Sequence, residues 1–323
     1  MDTELRWGLI GTGGIAATFA EDLVRTDSGR AAAVGSRRQE SADDFAERFG
    51  IPNRHASYEA LVEDPDVDAV YVATPHPMHL PAATLALRAG KPVLVEKPFT
   101  MDAAQARELV ALARAQGVFA MEAMWTRFLP HVRAIREILA LGELGEIVTV
   151  LADHGQWFAA DPAFRLFAPE LGGGALLDLG IYPVSFASMV LGEPERIRAV
   201  ATPAFSGVDA HTSMVFSYPS GAHAVLSCTL AAKSPTRAAI VGTRARIEID
   251  GEFYRPTSFE VITKDGERTA YPLEDHEGNG LRHEADEVAR CLREGLLESP
   301  LMPLDETVSI METMDEVAAS AKA

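Results

Sequence analysis

From Leu5 to about Ala120, short apolar runs alternate with longer stretches whose apolar residues recur at helical spacing. That alternation predicts βαβ units around a parallel sheet. Trp7-Gly8-Leu9-Ile10, Ala31-Ala32-Ala33-Val34, Ala69-Val70-Tyr71-Val72-Ala73 and Pro92-Val93-Leu94-Val95 are apolar at successive positions, so they read as interior strands with no wet face. Between them, Ala42 to Phe49, Leu80 to Ala89 and Ala103 to Gln116 read as helices that stop near Gly50, Gly90 and Gly117. After about Met124 a helix is followed by strand-like runs with no helices between them: 147–154, 196–202, 213–218, 222–231, 237–241, 245–250 and 259–263. Consecutive strands of this kind predict an open, mostly antiparallel sheet. Tyr218-Pro219-Ser220-Gly221 and Lys264-Asp265-Gly266-Glu267 read as hairpin turns, and two helices, Asn279 to Glu294 and Pro303 to Ala321, close the chain. The expected fold class is α/β, with a doubly wound parallel sheet over residues 1–123 and an α+β domain with the open sheet over residues 124–323.

Composition adjusts this picture in three places. A chain of 323 residues exceeds the length at which one core keeps growing, which supports two domains. A formal charge of −18 repels nucleic acid and anionic membrane surfaces, so neither is expected as a partner. The two cysteines, Cys228 and Cys291, lie too far apart for paired metal-ligand spacing and too sparsely for a disulfide scaffold. The first residues are acidic and polar, and no apolar run approaches membrane-spanning length, so the expected location is cytoplasmic.

The chemistry begins at Gly11-Thr12-Gly13-Gly14-Ile15-Ala16, between a buried strand and a helix. Glycines there allow a tight turn and let a pyrophosphate approach the helix N-terminal amides, the arrangement of a Rossmann dinucleotide site. The third position is Ala16, which is still small enough. At the end of the second strand, where an NAD site usually presents an acid, this chain has Ser36-Arg37-Arg38. A hydroxyl and two guanidinium groups without a carboxylate suit a 2′-phosphate, so the expected cofactor is NADP; the other reading is two solvated arginines at a helix start.

Ala73-Thr74-Pro75-His76-Pro77-Met78-His79 and Glu96-Lys97-Pro98 each follow a parallel strand, on the side where ligands bind open α/β sheets. Lys97 stands before a proline that is a candidate for a cis bond, and it is either a functional ammonium or a surface charge. Further on, Gly172-Gly173-Gly174 opens an apolar helix in which Asp178 and Tyr182 are four residues apart and share a face. A carboxylate and a phenol supply an orienting acceptor and a proton carrier; alternatively they are a helix cap and a core residue. His76 and His79 lack a third converging ligand, and no metal site is expected.

Taken together, the Gly11 to Ala16 turn, Thr74-Pro75 with His79, Glu96-Lys97-Pro98 and the stretch ending Asp178-Leu179-Gly180-Ile181-Tyr182 make the whole chain resemble the glucose-fructose oxidoreductase and inositol dehydrogenase family. Tyr182 stands where inositol dehydrogenase-like members carry His. With Met121 to Phe128 and Gly278 to Glu284, it makes the chain look most like the dimeric dihydrodiol dehydrogenase branch. The resemblance implies NADP, a catalytic Lys97 and Asp178, Trp125 and Arg127 lining the cofactor cleft, and oligomers formed through the open sheet. From the residues themselves, Trp125 is equally readable as interdomain core.

The function expected from these readings is hydride transfer between nicotinamide and a secondary alcohol or hemiacetal of a small sugar, polyol or dihydrodiol. Tyr182 would act as base, Lys97 would stabilise the alkoxide and lower the phenol's pKa, and Asp178 would orient Lys97 or a substrate hydroxyl. His154, Trp157 and Phe158 are expected to line the substrate site alongside Lys97, Asp178 and Tyr182. Two alternatives stay open here: a redox-neutral sugar enzyme with tightly held nicotinamide, and a cofactor-binding regulator without catalysis. A homodimer or homotetramer is the expected assembly.

Overall fold

The computed structural model describes residues 4–273 and 277–322; Met1 to Thr3, read above as part of a polar lead-in, lie outside them. By its internal contacts the chain divides into two compact units, Met1–Phe128 with Glu277–Val308, and Leu129–His276 with Ser309–Ala323.

The first unit is a six-stranded parallel sheet of β1 (Leu5–Ile10), β2 (Gly29–Gly35), β3 (Asn53–His55), β4 (Ala69–Val72), β5 (Val93–Glu96) and β6 (Ala120–Ala123), in the order β3-β2-β1-β4-β5-β6. The order reverses between β1 and β4, and a ligand binds such a sheet outside the carboxyl ends at that switch. The connecting helices are α1 (Gly14–Leu23), α2 (Gln39–Phe49), α3 (Tyr58–Val62), α4 (His79–Arg88) and α5 (Ala103–Gln116). Gly50 and Gly117 end α2 and α5 in left-handed geometry, φ 66° and 62°, as their spacing in the sequence predicts. The apolar strands are apolar because they are covered: every residue of β4 and β5 is buried.

In the second unit, α6 (Pro130–Ala140) is followed by β7 (Ile147–Gly155), α7 (Ile181–Leu191), and then β8 (Arg196–Pro203), β9 (Asp209–Ser217), β10 (His223–Thr229), β11 (Ala238–Gly242), β12 (Ala245–Ile249), β13 (Phe259–Thr263) and β14 (Arg268–Tyr271). These strands form one eight-stranded sheet, β14-β13-β12-β11-β7-β10-β9-β8, antiparallel except where β7 lies parallel to β10. Both expected hairpin turns are present, closed by Gly221 N–H to Tyr218 O at 2.9 Å and Gly266 N–H to Thr263 O at 3.0 Å. Pro169–Leu191 is long and apolar enough to cross a membrane, contrary to the expectation from the sequence, but its most apolar stretch is mostly buried within the protein, as a core helix is.

The chain closes with α8 (Arg282–Arg293) and α9 (Leu304–Ser320). The contiguous division at 123/124 expected from the sequence differs from the observed one, because α8 returns to the first unit. The anchor is Asp22 at the end of α1, fully buried, whose carboxylate accepts the amides of Asn279, Gly280 and Leu281 at 2.7–3.0 Å. A Cβ on Gly278 would stand 2.5 Å from Asp22 Oδ1, so that approach requires glycine.

Candidate active site

In the first unit the Gly-rich turn divides into two kinds of glycine. Gly11 has φ +109°, and a Cβ there would lie 2.5 Å from the carbonyl oxygen of Ala73, where β1 and β4 exchange neighbours. Gly13 and Gly14 are exposed with nothing within 4 Å of an added Cβ, and α1 starts at Gly14 with no side-chain cap and no acid in its first turn. Uncapped helix amides behind an open backbone are the features a pyrophosphate needs. Thr12 and Ile15 flank the turn, both half-buried. The buried hydroxyl of Thr74, just past β4, has no partner among the described residues, which adds a donor to the same edge.

Past β2, Ser36 is half-buried while Arg37 and Arg38 are exposed. Arg38 donates to Ser41 Oγ at 2.8 and 3.1 Å. The Arg37 guanidinium pulls the Tyr58 phenol down against the larger, opposite effect of burial. Neither arginine has a carboxylate partner among the described residues.

His79 connects the loops that follow β4 and β5. It is fully buried, with Nε2 2.9 Å from Thr74 O and Nδ1 2.8 Å from Pro98 O. Burial pushes its pKa below the ordinary histidine range even though both carbonyls favour the charged ring. His76 is buried beside it, with ring centroids 5.7 Å apart, and Pro75 is exposed. At the end of β5, buried Glu96 accepts from the Tyr71 hydroxyl and, at 3.1 Å, from the Lys97 amide. The Lys97-Pro98 bond is cis, and Lys97 is half-buried.

Glu122 and Glu284 are among the other buried carboxyls of this unit. Glu122 of β6 accepts from Phe99 N–H at 3.1 Å, and burial pushes it up to about 7. Glu284 of α8 has no partner for either oxygen among the described residues, and burial, reinforced by the charges of Glu96 and Asp22, raises it well above the usual carboxylate range. Trp125 and Arg127 occupy the helical turn after β6; both are buried, and Arg127 Nη2 donates to Glu306 Oε1 at 2.7 Å.

In the second unit Asp178 lies in a π-helical turn, Leu176–Gly180, that runs into α7, where Tyr182 is the second residue. Short π turns inside helices recur at functional sites. Both side chains are buried, at 5% and 7% exposure, and Asp178 Oδ1 accepts from Arg165 Nη2 at 3.1 Å. Tyr182 sits in a triangle of rings with His154 of β7 (5.1 Å) and Tyr254 (4.8 Å), which are themselves stacked at 4.3 Å. Gln156 Nε2 lies 3.0 Å from His154 Nε2 and donates to Tyr254 Oη at 3.4 Å.

The expected residues His154, Asp178 and Tyr182 therefore gather in one unit. Phe158 packs on Phe164 at 5.4 Å, and Trp157 is 66% exposed with no ring contact to His154 or Tyr182 among the described residues. Tyr254, Gln156 and Arg165 were not singled out from the sequence. Gln156 and Tyr254 lie outside helices and strands and Arg165 begins a single short helical turn, Arg165–Phe167; only the Arg165 charge among aromatic residues offered a signal.

A family model described as an oxidoreductase family with an NAD-binding Rossmann fold matches residues 5–124, and the GFO/IDH/MocA C-terminal domain matches residues 132–248. The chain belongs to the GFO/IDH/MocA oxidoreductase family. Among the relatives of this family member, a trans-1,2-dihydrobenzene-1,2-diol dehydrogenase of Mus musculus is 41% identical, covering 97% of this chain and 95% of its own. The Homo sapiens protein of the same name is 38% identical, with coverage of 97% and 96%. Among solved structures, the aldose-aldose oxidoreductase from Caulobacter crescentus complexed with glycerol aligns with a TM-score of 0.90 at 26% identity, covering 99% and 98% of the two chains. A 3-ketoreductase from Actinomadura kijaniata in complex with NADP and TDP-benzene aligns with a TM-score of 0.86 at 28% identity and 98% coverage of each chain. The family assignment agrees with the resemblance drawn from the motifs, and the fold class agrees with the two sheets observed.

Proposed function

We propose that this oxidoreductase uses NADP to move a hydride to or from a carbinol carbon of a small sugar, polyol or dihydrodiol. The observation that carries the reading is the placement of Asp178 and Tyr182 on one buried helical segment, the phenol flanked by His154 and Tyr254. The relatives named dihydrodiol dehydrogenases, at 38–41% identity over nearly the full chain, support the substrate class.

The nicotinamide supplies the hydride acceptor or donor when bound. Uncapped α1 amides and the open backbone at Gly13 and Gly14 hold the pyrophosphate, with Thr12, Ile15, Thr74, Pro75, His76 and Glu96 bordering the nucleotide and His79 stapling two of its loops. Ser36, Arg37 and Arg38 take the 2′-phosphate through charge-assisted bonds. Trp125 and Arg127 shape the same side. Tyr182 Oη takes the alcohol proton in oxidation, Lys97 Nζ stabilises the developing alkoxide, and Asp178 orients a substrate hydroxyl. His154, Trp157 and Phe158 line the substrate side.

Turnover of trans-dihydrodiols, aldoses and polyols, followed by the absorbance of reduced nicotinamide, tests the reading. Tyr182→Phe is expected to keep the fold and NADP binding while lowering turnover by about 10²–10⁴, the usual range for general acid-base catalysis. Near-parental turnover would remove the proton carrier from the proposal. The aldose-aldose oxidoreductase neighbour favours a second reading, redox-neutral sugar chemistry with retained nicotinamide. Free NADPH accumulating in step with product excludes it. The presence of Lys97, Asp178 and Tyr182 together argues against a regulator.

The assembly we propose is a dimer through the exposed face of the eight-stranded sheet. One cross-strand row reads Arg198, Val215, Val225, Leu151, Ala239, Glu248, Glu260, Ala270, with a cation at one end, the carboxylates of Glu248 and Glu260 toward the other and apolar residues between. Val215, Val225 and Leu151 are 41–47% exposed. A second copy turned by a two-fold axis presents its carboxylate end to this cation end.

A further inference from the structure

The helix that carries Asp178 and Tyr182 begins without a cap of its own: Ala175 precedes Leu176–Gly180 and makes no side-chain hydrogen bond to the first turn. The acceptor comes instead from the sheet. Asp209, the first residue of β9, accepts the Leu176 amide on Oδ2 at 2.7 Å, and the same oxygen accepts from the Thr212 hydroxyl at 3.0 Å. Its other oxygen faces Gly174. That residue has φ +118°, and an added Cβ would lie 2.3 Å from Asp209 Oδ1. The glycine stretch that opens this helix is therefore shaped around a carboxylate. Gly173 is equally confined, with three carbonyl oxygens, those of Arg165, Leu166 and Ala168, 2.7–2.9 Å from an added Cβ. Burial holds the Asp209 carboxyl above its ordinary range, and the amides of Leu176 and Ala175 with the Thr212 hydroxyl pull it back.

The geometry points to Asp209 as a positioning residue that fixes, from β9, the first turn of the helix bearing Asp178 and Tyr182. Leu176 is two residues before Asp178 and six before Tyr182, and a helix transmits a displacement of its first turn to both. Strand β9 is held on both sides, by β8 and β10, so its end is a fixed reference point. Displacements of about 1 Å at a reacting group cost on the order of 10²-fold in rate, so a cap worth little as a single bond becomes important through the residues it aims. The inference rests on the reading of Tyr182 as the proton carrier.

The test uses the full chain with trans-1,2-dihydrobenzene-1,2-diol and NADP, comparing Asp209→Ala, Asp209→Asn and Tyr182→Phe with the parent. In Asp209→Ala, kcat is expected to fall about 10- to 100-fold while the NADP dissociation constant stays within about twofold. Asp209→Asn keeps an oxygen in the Oδ2 position and is expected to restore kcat to within about threefold of the parent. A substrate deuterated at its carbinol carbons separates positioning from loss of folded protein. Misplaced chemistry enlarges the isotope effect on kcat, whereas a smaller active fraction leaves it unchanged. Where Asp209→Ala fails to fold, Thr212→Val removes the hydroxyl that holds Oδ2 at nearly constant volume, and the same enlarged isotope effect with a lower kcat is expected. Parental kcat in Asp209→Ala or Thr212→Val, or an unchanged isotope effect at lower kcat, overturns the inference if Tyr182→Phe has lost its turnover. Near-parental turnover in Tyr182→Phe overturns the underlying site reading and the inference with it.

Discussion

The proposed choice of NADP rests on Arg37, exposed just past the end of β2. The end of β2 presents two exposed guanidinium groups and the Ser36 hydroxyl with no acid, a set that attracts a phosphate and lacks the carboxylate that usually holds a free 2′-hydroxyl. Titration of both nucleotides is expected to show tighter NADP binding, and Arg37→Ala to erase a difference of roughly 1.5–3 kcal/mol; equal parental affinities would sink the NADP assignment. A buried residue gives a different kind of prediction. Glu122 has its pKa raised from the ordinary 4.5 to about 7, so the folded state binds this proton more tightly than the unfolded chain. Its stabilising contribution is therefore complete below pH 4.5 and is lost as pH rises through about 7. Glu122→Gln keeps an acceptor for Phe99 N–H and removes the titration. Urea unfolding across this window is expected to show the parent losing about 3 kcal/mol relative to the variant, and parallel curves would refute the shift.

Among the elements, the β1-to-α1 turn separates structural glycine from ligand-facing glycine. Gly11→Ala forces both a left-handed residue and a clash with Ala73 O, so lower thermal stability and weaker NADP binding are expected together. Gly13 has φ −82° and open space, so Gly13→Ala is expected to leave the melting temperature unchanged and to weaken NADP binding alone. Unweakened binding in Gly13→Ala would mean that the open space is not the nucleotide's. Boundaries of most strands and of α5 were legible because period and glycine stops are local signals. β3, β6 and β14 were not: unlike the equally short β4 and β5, Asn53-Arg54-His55, Ala120-Met121-Glu122-Ala123 and Arg268-Thr269-Ala270-Tyr271 have no continuous apolar run, and each is fixed by pairing with a neighbour.

The proposed dimer rests on the sheet of the second unit. Its outward row is apolar at the centre, with Arg198 on one side and Glu248 and Glu260 on the other, the pattern on which the proposed two-fold contact rests. Light scattering is expected to report a dimer at micromolar concentration, and Val225→Glu, which places a charge in mid-row, to shift it to monomer without changing NADP affinity. A monomeric parent would refute the sheet contact. Both cysteines are buried free thiols, with the Cys291 thiol pushed up to about 12, so neither is expected to react readily at neutral pH.

What the sequence determined by itself was the set of local signals. Apolar periodicity set the two sheets, glycines at fixed offsets set the nucleotide turn, and the absence of an acid after β2 set the cofactor expectation, because each depends on residues close along the chain. The tertiary structure decided what depends on distant ones. It alone brought Tyr254 beside His154, Gln156 and Tyr182, paired Arg165 with Asp178, placed Asp209 under the helix at Leu176, and returned α8 to the first unit through Asp22. The reason is physical: caps, ion pairs and ring contacts form between side chains that folding brings within a few ångströms across tens to hundreds of residues, and no periodicity along the chain records which ones will meet.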